Sequence, residues 1–116
     1  MREPHVVKDY LQDMLEALDK AVQFVGDYDL SEFEQDEQCG YAVIRCLEIV
    51  GEAAKKIPAG VRQKQGAIPW KSLAGMLDKL IHDYAGVDLK VVFETVKRDI
   101  PYVREMLQSF IKELEE

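Results

Sequence analysis

The sequence predicts an all-α fold, an antiparallel bundle of four to five helices in a single domain spanning residues 1–116. Apolar residues recur at intervals of three and four, which is the spacing of amphipathic helices. Only seven glycines and four prolines interrupt 116 residues, so long helices can form. The apolar fraction of 47% and the charged fraction of 32% are typical of a globular protein.

Two long helices are predicted in the first half of the chain. The first covers Pro4–Val25 and ends at Gly26, after which Ser31 is expected to cap a short helical stretch. The second covers Asp36–Ile57 and is apolar over most of its circumference. Such a helix is either central in its domain or shared with a partner chain. A short helix at Ala59–Gln65 is expected in the polar connection that follows.

Three further helices are predicted in the second half of the chain. The third starts near Pro69–Trp70, with proline at the first helical position, and ends at Gly86. Asp88 is expected to cap the fourth helix, and Pro101 to kink the chain or restart it. The final helix then buries a stripe that includes Leu114.

The charge balance argues against broad affinity for nucleic acid. The chain has 15 basic and 22 acidic residues, for a net charge of −7, and no concentrated basic face is evident. Any contact with RNA would therefore have to come from a local patch. No signal peptide or apolar run of membrane length is visible, and Cys39 and Cys46 are read as reduced thiols. We expect a cytoplasmic protein with no membrane contact.

His82 is the more informative of the two histidines. It falls beside the apolar stripe of the third helix, with Asp78 four residues earlier on the same face. A carboxylate there favours the charged imidazole, and such a histidine can transfer protons near neutral pH. From the spacing alone, a surface ion pair with Asp78 is the simpler interpretation.

Three blocks in order give the chain a resemblance to a known family. They are Ala42–Pro58, Ile68–Trp70 followed by Gly75–Met76, and Leu80–Tyr84 followed by Gly86–Asp88. Together they resemble the HEPN superfamily and, within it, the HepT-like toxins, whose active helix carries an Arg-x4-His-x-Tyr signature.

The resemblance implies a dimeric helical bundle with a shared cleft. Many such proteins are metal-independent endoribonucleases, in which the arginine stabilises charge on the scissile phosphate and the histidine transfers a proton or positions the 2′-hydroxyl. It also implies a partner, an MntA-like nucleotidyltransferase antitoxin that transfers AMP to the signature tyrosine. No metal and no cofactor are expected.

Carried over to this chain, His82 and Tyr84 match the signature, and Asp78 fits the polar position after the arginine. Leu77 stands where the signature has arginine, and leucine can neither carry charge nor donate a hydrogen bond to phosphate. Lys79 adds a positive charge near His82, but lysine lacks the forked donors of arginine.

Arg45 and Glu48 are possible cleft residues, or they pair within a dimer interface. Glu48 and Glu52 lie one helical turn apart, but with one plausible histidine they make a thin set of metal ligands.

The sequence therefore predicts a HepT-like toxin of a prokaryotic type VII toxin–antitoxin module, a homodimer whose ribonuclease site is degraded at Leu77. Two alternatives stay open. One is a non-catalytic binding module, which serves as partner or substrate-presenting subunit of a nucleotidyltransferase. The other is a purely structural dimer.

Overall fold

The computed structural model describes residues 4–75 and 88–115, with side chains from residue 6 onward. These residues form helices and turns and include no strand, so the all-α fold class is confirmed. No helix among them is long and apolar enough to cross a membrane. In chain order the helices are α1 (Pro4–Val25), α2 (Leu30–Gln35), α3 (Glu37–Lys55), α4 (Ala59–Lys64), α5 (described residues 70–75), α6 (Leu89–Glu94) and α7 (Ile100–Glu115), with a π-helical turn (Thr95–Asp99) between the last two.

Helix α3 runs antiparallel to α1. Near the start of α3, the Cys39 thiol donates a hydrogen bond to the carbonyl of Phe24, at the end of α1 (3.2 Å). Just beyond the other end of α3, the Lys56 ammonium lies 5.5 Å from the ring centroid of Tyr10. These two contacts fix the relative direction of the helices.

Helix α7 also runs antiparallel to α1. Near its start, Arg104 Nε contacts Asp19 Oδ1 at 2.6 Å, and at its end Glu115 pairs with Lys8 at 2.9 Å. Helix α1 therefore lies between α3 and α7, and the antiparallel arrangement predicted from the sequence holds for these three long helices.

The core is apolar, and eight of the 19 residues of α3 are buried. No charged side chain is buried among the residues with described side chains. Of the apolar residues of α3, Tyr41 is exposed and Ile44 and Ile49 are partly covered, while the others are mostly buried within the chain. Most of the apolar circumference of α3 is thus covered within the chain, and sharing of its remaining face with a partner chain stays a prediction. The prediction that Leu114 is buried is wrong, because its side chain lies at the open end of α7 and is 39% exposed.

The residue that caps α2 is Asp29, and the expectation of Ser31 is wrong. Asp29 Oδ1 accepts a hydrogen bond from the backbone N–H of Glu32 (2.8 Å), and Glu32 Oε1 accepts one from the backbone N–H of Asp29 (3.0 Å). This reciprocal pair is a capping box. Ser31 lies inside the helix, where its Oγ accepts a hydrogen bond from Gln35.

Asp36 caps α3 and has two hydrogen-bond donors. Its carboxylate accepts from the backbone N–H of Cys39 (3.0 Å) and from the hydroxyl of Tyr28 (2.7 Å). The bond from Cys39, followed by the bond from Tyr28, lowers the pKa of Asp36. The start of α3 is therefore held by a charge-assisted network.

The prediction that the chain restarts at Pro101 is wrong, because α6 continues into α7 through the π-helical turn. Pro101 is the second residue of α7 and has no N–H to donate back to the π-helical turn. The backbone N–H of Ile100 reaches back five residues to the carbonyl of Thr95. The wider turn thus accommodates the proline without interrupting the helix.

The two cap assignments can be separated by substitution. We expect Asp29→Ala to lower the free energy of unfolding by about 1 kcal/mol, because it removes the carboxylate that accepts the backbone N–H of Glu32. Ser31→Ala, the matched control, should change it by less than about 0.5 kcal/mol. Urea denaturation followed by circular dichroism measures both, and a larger loss for Ser31→Ala would contradict the assignment.

Candidate functional site

The signature positions predicted from the sequence fall in a part of the chain that is not described. Leu77, Asp78, Lys79, His82 and Tyr84 all lie outside the described residues. Their mutual geometry therefore stays a prediction. The structure does describe the segments that enter and leave this stretch.

The entering segment is anchored in the core. Trp70 is 7% exposed and its indole N–H donates to the carbonyl of Gln65 at 3.1 Å, while Ile68 and Leu73 are buried. Pro69 stands one position before the first helical residue, and its carbonyl accepts the N–H of Leu73 (3.0 Å). Proline therefore occupies the N-cap of α5, one residue earlier than predicted. Its missing N–H has no helical partner at either position.

The leaving segment is also fixed, by the cap that the sequence predicted. Asp88 Oδ1 accepts hydrogen bonds from the backbone N–H groups of Lys90 (2.9 Å) and Val91 (3.4 Å). Leu89, the first residue of α6, lies near α3, since a Cβ placed on Gly40 would lie 3.9 Å from one of its methyl groups. Both ends of the stretch 76–87 are thus tied to the helical core.

Two predicted cleft residues are described, and they form one ion-pair cluster on α3. Arg45 Nη1 lies 3.7 Å from Glu48 Oε1 and 3.7 Å from Glu52 Oε1. Glu48 is the most covered of the three, with 28% of its side chain exposed. At these distances and exposures each pair contributes little to stability, typically below about 1 kcal/mol.

The described residues do not meet what a metal site or a nucleophilic thiol requires. In the described part of the chain, no three histidine, cysteine or acidic side chains are close enough to share a metal ion. Burial raises the pKa of both the Cys39 and Cys46 thiols. Neither thiol is therefore activated as a thiolate nucleophile at neutral pH.

A basic surface is the feature that the sequence reasoning missed. It comprises Lys55, Lys56, Arg62, Lys64 and Lys71, which line two adjoining clefts. The signal was present in the sequence, because residues 53–77 contain these five cations and no acidic residue. It was overlooked because the cations are distributed over three separate helical segments.

A family model described as "Ribonuclease HepT-like" matches residues 14–110. The chain belongs to the HepT-like family. This HepT-like chain is 49% identical over 110 residues to a candidate RNase of Methanocaldococcus jannaschii, covering 95% of each protein. It is 43% identical to a candidate ribonuclease HepT of Thermococcus cleftensis, over 90% of this chain and 96% of that protein.

A candidate RNase of Caldanaerobacter subterraneus subsp. tengcongensis is 34% identical to this HepT-like chain, over 90% of this chain and 94% of that protein. No solved structure shows a significant match. The resemblance to HepT-like proteins inferred from the three sequence blocks is therefore confirmed.

Proposed function

We propose that this HepT-like chain is the toxin of a type VII toxin–antitoxin module. In this proposal it is a cytoplasmic, single-domain homodimer related to metal-independent endoribonucleases. The observation that carries the proposal is the family match over residues 14–110 together with His82 and Tyr84 at the signature positions. The names of the relatives, which refer to RNase activity, support RNA as the substrate class.

The proposed chemistry assigns one role to each signature residue. His82 transfers a proton or positions the ribose 2′-hydroxyl, and Asp78, four residues earlier, favours the charged imidazole. The phosphate-stabilising cation is missing, because Leu77 occupies the position of the arginine. Loss of such an electrostatic contact commonly lowers the rate by about 10²–10³.

Leu77 also favours a second candidate function, a non-catalytic partner or substrate-presenting subunit of a nucleotidyltransferase. A leucine at this position removes the charge that the chemistry needs, while Tyr84, the proposed modification site, is present in the sequence. Cleavage by an arginine-restored variant distinguishes the two functions.

We expect Leu77→Arg to cleave RNA at least about 100-fold faster than the present chain, without added metal and in the presence of a chelator. The physical reason is that the guanidinium offers paired donors and a permanent charge to the phosphate. Turnover of a labelled RNA, followed on denaturing gels, measures the effect.

The control is Leu77→Arg combined with His82→Ala, which should be inactive because the proton-transfer group is gone. Leu77→Gln is a second control, polar but uncharged, and should stay close to the present chain. A folded Leu77→Arg variant that fails to cleave varied RNAs would favour the non-catalytic function.

The homodimer draws support from the face of α3 that the chain leaves uncovered. Five residues follow one another along this face at intervals of four and three, which is the spacing of a helix–helix seam: Tyr41, Arg45, Glu48, Glu52 and Lys55. Tyr41 is 69% exposed, and the half-buried Ile44 and Ile49 flank the seam.

This seam is self-complementary about its centre. If two α3 helices pair antiparallel about Glu48, Arg45 faces the partner subunit's Glu52, and Tyr41 faces the partner subunit's Lys55. Opposite charges then meet at two symmetric positions, and a cation meets an aromatic ring at two more. The close Arg45 offsets the repulsion between the two Glu48 side chains at the axis.

We expect the protein to be a dimer at micromolar concentration, with a mass by light scattering of about twice the 13.3 kDa of one chain. Arg45→Glu should raise the dissociation constant at least about tenfold, because it places like charges opposite each other. Combining Arg45→Glu with Glu52→Arg should restore dimerisation. A wild-type monomer would contradict the homodimer, and a dimer insensitive to these exchanges would contradict the α3 seam.

The proposed partner is a nucleotidyltransferase that modifies Tyr84. In the transfer, the phenolic oxygen of Tyr84 bonds to the α-phosphorus of ATP, pyrophosphate leaves, and the phenolic proton passes to solvent. Since Tyr84 lies two residues after His82 in the sequence, an AMP group there would add a bulky negative charge near the proposed site, which opposes the approach of RNA.

We expect the chain, incubated with its cognate nucleotidyltransferase, ATP and Mg²⁺, to gain the mass of AMP on Tyr84, because a tyrosine hydroxyl is the acceptor in the family. Tyr84→Phe should gain none, while Tyr102→Phe, which removes an exposed tyrosine elsewhere, should be modified normally. Peptide mass spectrometry locates the group. Equal modification of Tyr84→Phe would show that another residue is the acceptor.

A further inference from the structure

The basic surface is unusual in a chain of this charge. Five of the 15 basic residues lie between residues 53 and 77, where there is no acidic residue, and the remainder of the chain has ten basic residues against 22 acidic ones. Helix α4 follows the end of α3 and precedes α5, and these segments together place the five cations around two adjoining clefts. The surface therefore attracts anions while the rest of the molecule repels them.

The first of these clefts has a volume of about 980 Å³ and lies between the end of α3 and α4. Its lining includes Lys55, Lys56, Arg62 and Lys64, and the described residues that line it include no aspartate or glutamate. The two carboxylates that flank Leu114 in the sequence have other partners, because Glu113 accepts a hydrogen bond from Gln65 and Glu115 pairs with Lys8.

The second cleft has a volume of about 590 Å³ and lies between α4 and the start of α5. Arg62 lines it as well as the first cleft, and Lys71 and Gly75 lie on its α5 side. No acidic side chain is found among its described lining residues. Gly75 precedes Leu77 by two residues in the sequence, so this cleft borders the segment that enters the signature.

Arg62 links the two clefts, and among the described residues no ion pair is found for it. Its Nε is buried and has no hydrogen-bond partner in the described part of the chain. Elsewhere the cations Lys8, Lys20, Arg45 and Arg104 pair with carboxylates. A guanidinium left without a carboxylate, with further cations beside it, suits the oxygens of a phosphate chain.

We infer that the two clefts form a track for the phosphate backbone of single-stranded RNA, leading toward the signature segment. The inference rests on the proposed function, in that RNA is taken as the ligand. Phosphate binding through scattered cations requires no base recognition, so the track holds RNA of any sequence.

The test uses the present chain, whose Leu77 limits cleavage, and a fluorescently labelled oligouridine of about 20 nucleotides. Fluorescence anisotropy between about 50 and 200 mM KCl gives the affinity and its salt dependence. The track variant combines Arg62→Gln, Lys64→Gln and Lys71→Gln. The matched control combines Lys90→Gln, Arg98→Gln and Lys112→Gln, which removes the same charge from exposed positions outside both clefts.

We expect the track variant to bind about 10- to 100-fold more weakly near 0.1 M salt. Its plot of log affinity against log salt should be less steep by about 2, because each phosphate contact to a single strand contributes about 0.7. The control variant should change the affinity by less than about threefold. Equal weakening by both variants would overturn the track and leave only a general effect of net charge.

Cleavage separates the track from the proposed function. In the Leu77→Arg background, the track substitutions should raise KM with little change in kcat, because they remove binding remote from the reacting phosphate. An unchanged KM would overturn the track while leaving the ribonuclease proposal intact. Binding of a polyglutamate peptide, but not of RNA, to these clefts would overturn the track in favour of an acidic protein partner.

Discussion

The packing of α1 between α3 and α7 is the constraint on which the other features depend. A chain of 116 residues supports one core, and the fully buried side chains of α1, including Leu11, Met14 and Leu18, lie within it. Both neighbours run antiparallel to α1, so the ends of α3 and α7 lie near the two ends of α1. The short α4 and the start of α5 then extend from one end of this three-helix unit, and the position of the basic surface follows.

The long helices could be predicted from the sequence because burial decides them. Apolar residues at helical spacing gave α1 its observed bounds, Pro4–Val25, and placed α3 within two residues at its C-terminus. Helix caps and helix breaks were harder to predict, because several neighbouring residues can form the same hydrogen bonds. Asp29 and Ser31 are both good capping residues, and the reciprocal bond to Glu32 selects Asp29. Pro101 resembled a break because a π-helical turn leaves no clear mark in a sequence.

The parts of the candidate site also differ in whether the sequence predicts them. The signature residues could be named from the sequence because their spacing, His82 followed two residues later by Tyr84, is a property of the chain alone. The basic surface could not be predicted from the sequence. Helical periodicity relates residues on one helix, whereas Lys55, Arg62 and Lys71 belong to three segments. Only tertiary packing brings such residues to adjoining clefts. The absence of acidic residues between positions 53 and 77 was the local sign of the basic surface in the sequence.

The basic surface and the signature consist of different residues, and this bears on the role of Leu77. Replacing a catalytic arginine by leucine removes one cation, whereas the two clefts retain five. Binding of RNA and its cleavage would then depend on different residues, as expected when remote contacts supply affinity and a few groups stabilise the transition state. On the proposals above, a chain with Leu77 can hold RNA without cutting it. The net charge of −7 would oppose binding on other faces, so that bound RNA is confined to the track beside the signature segment.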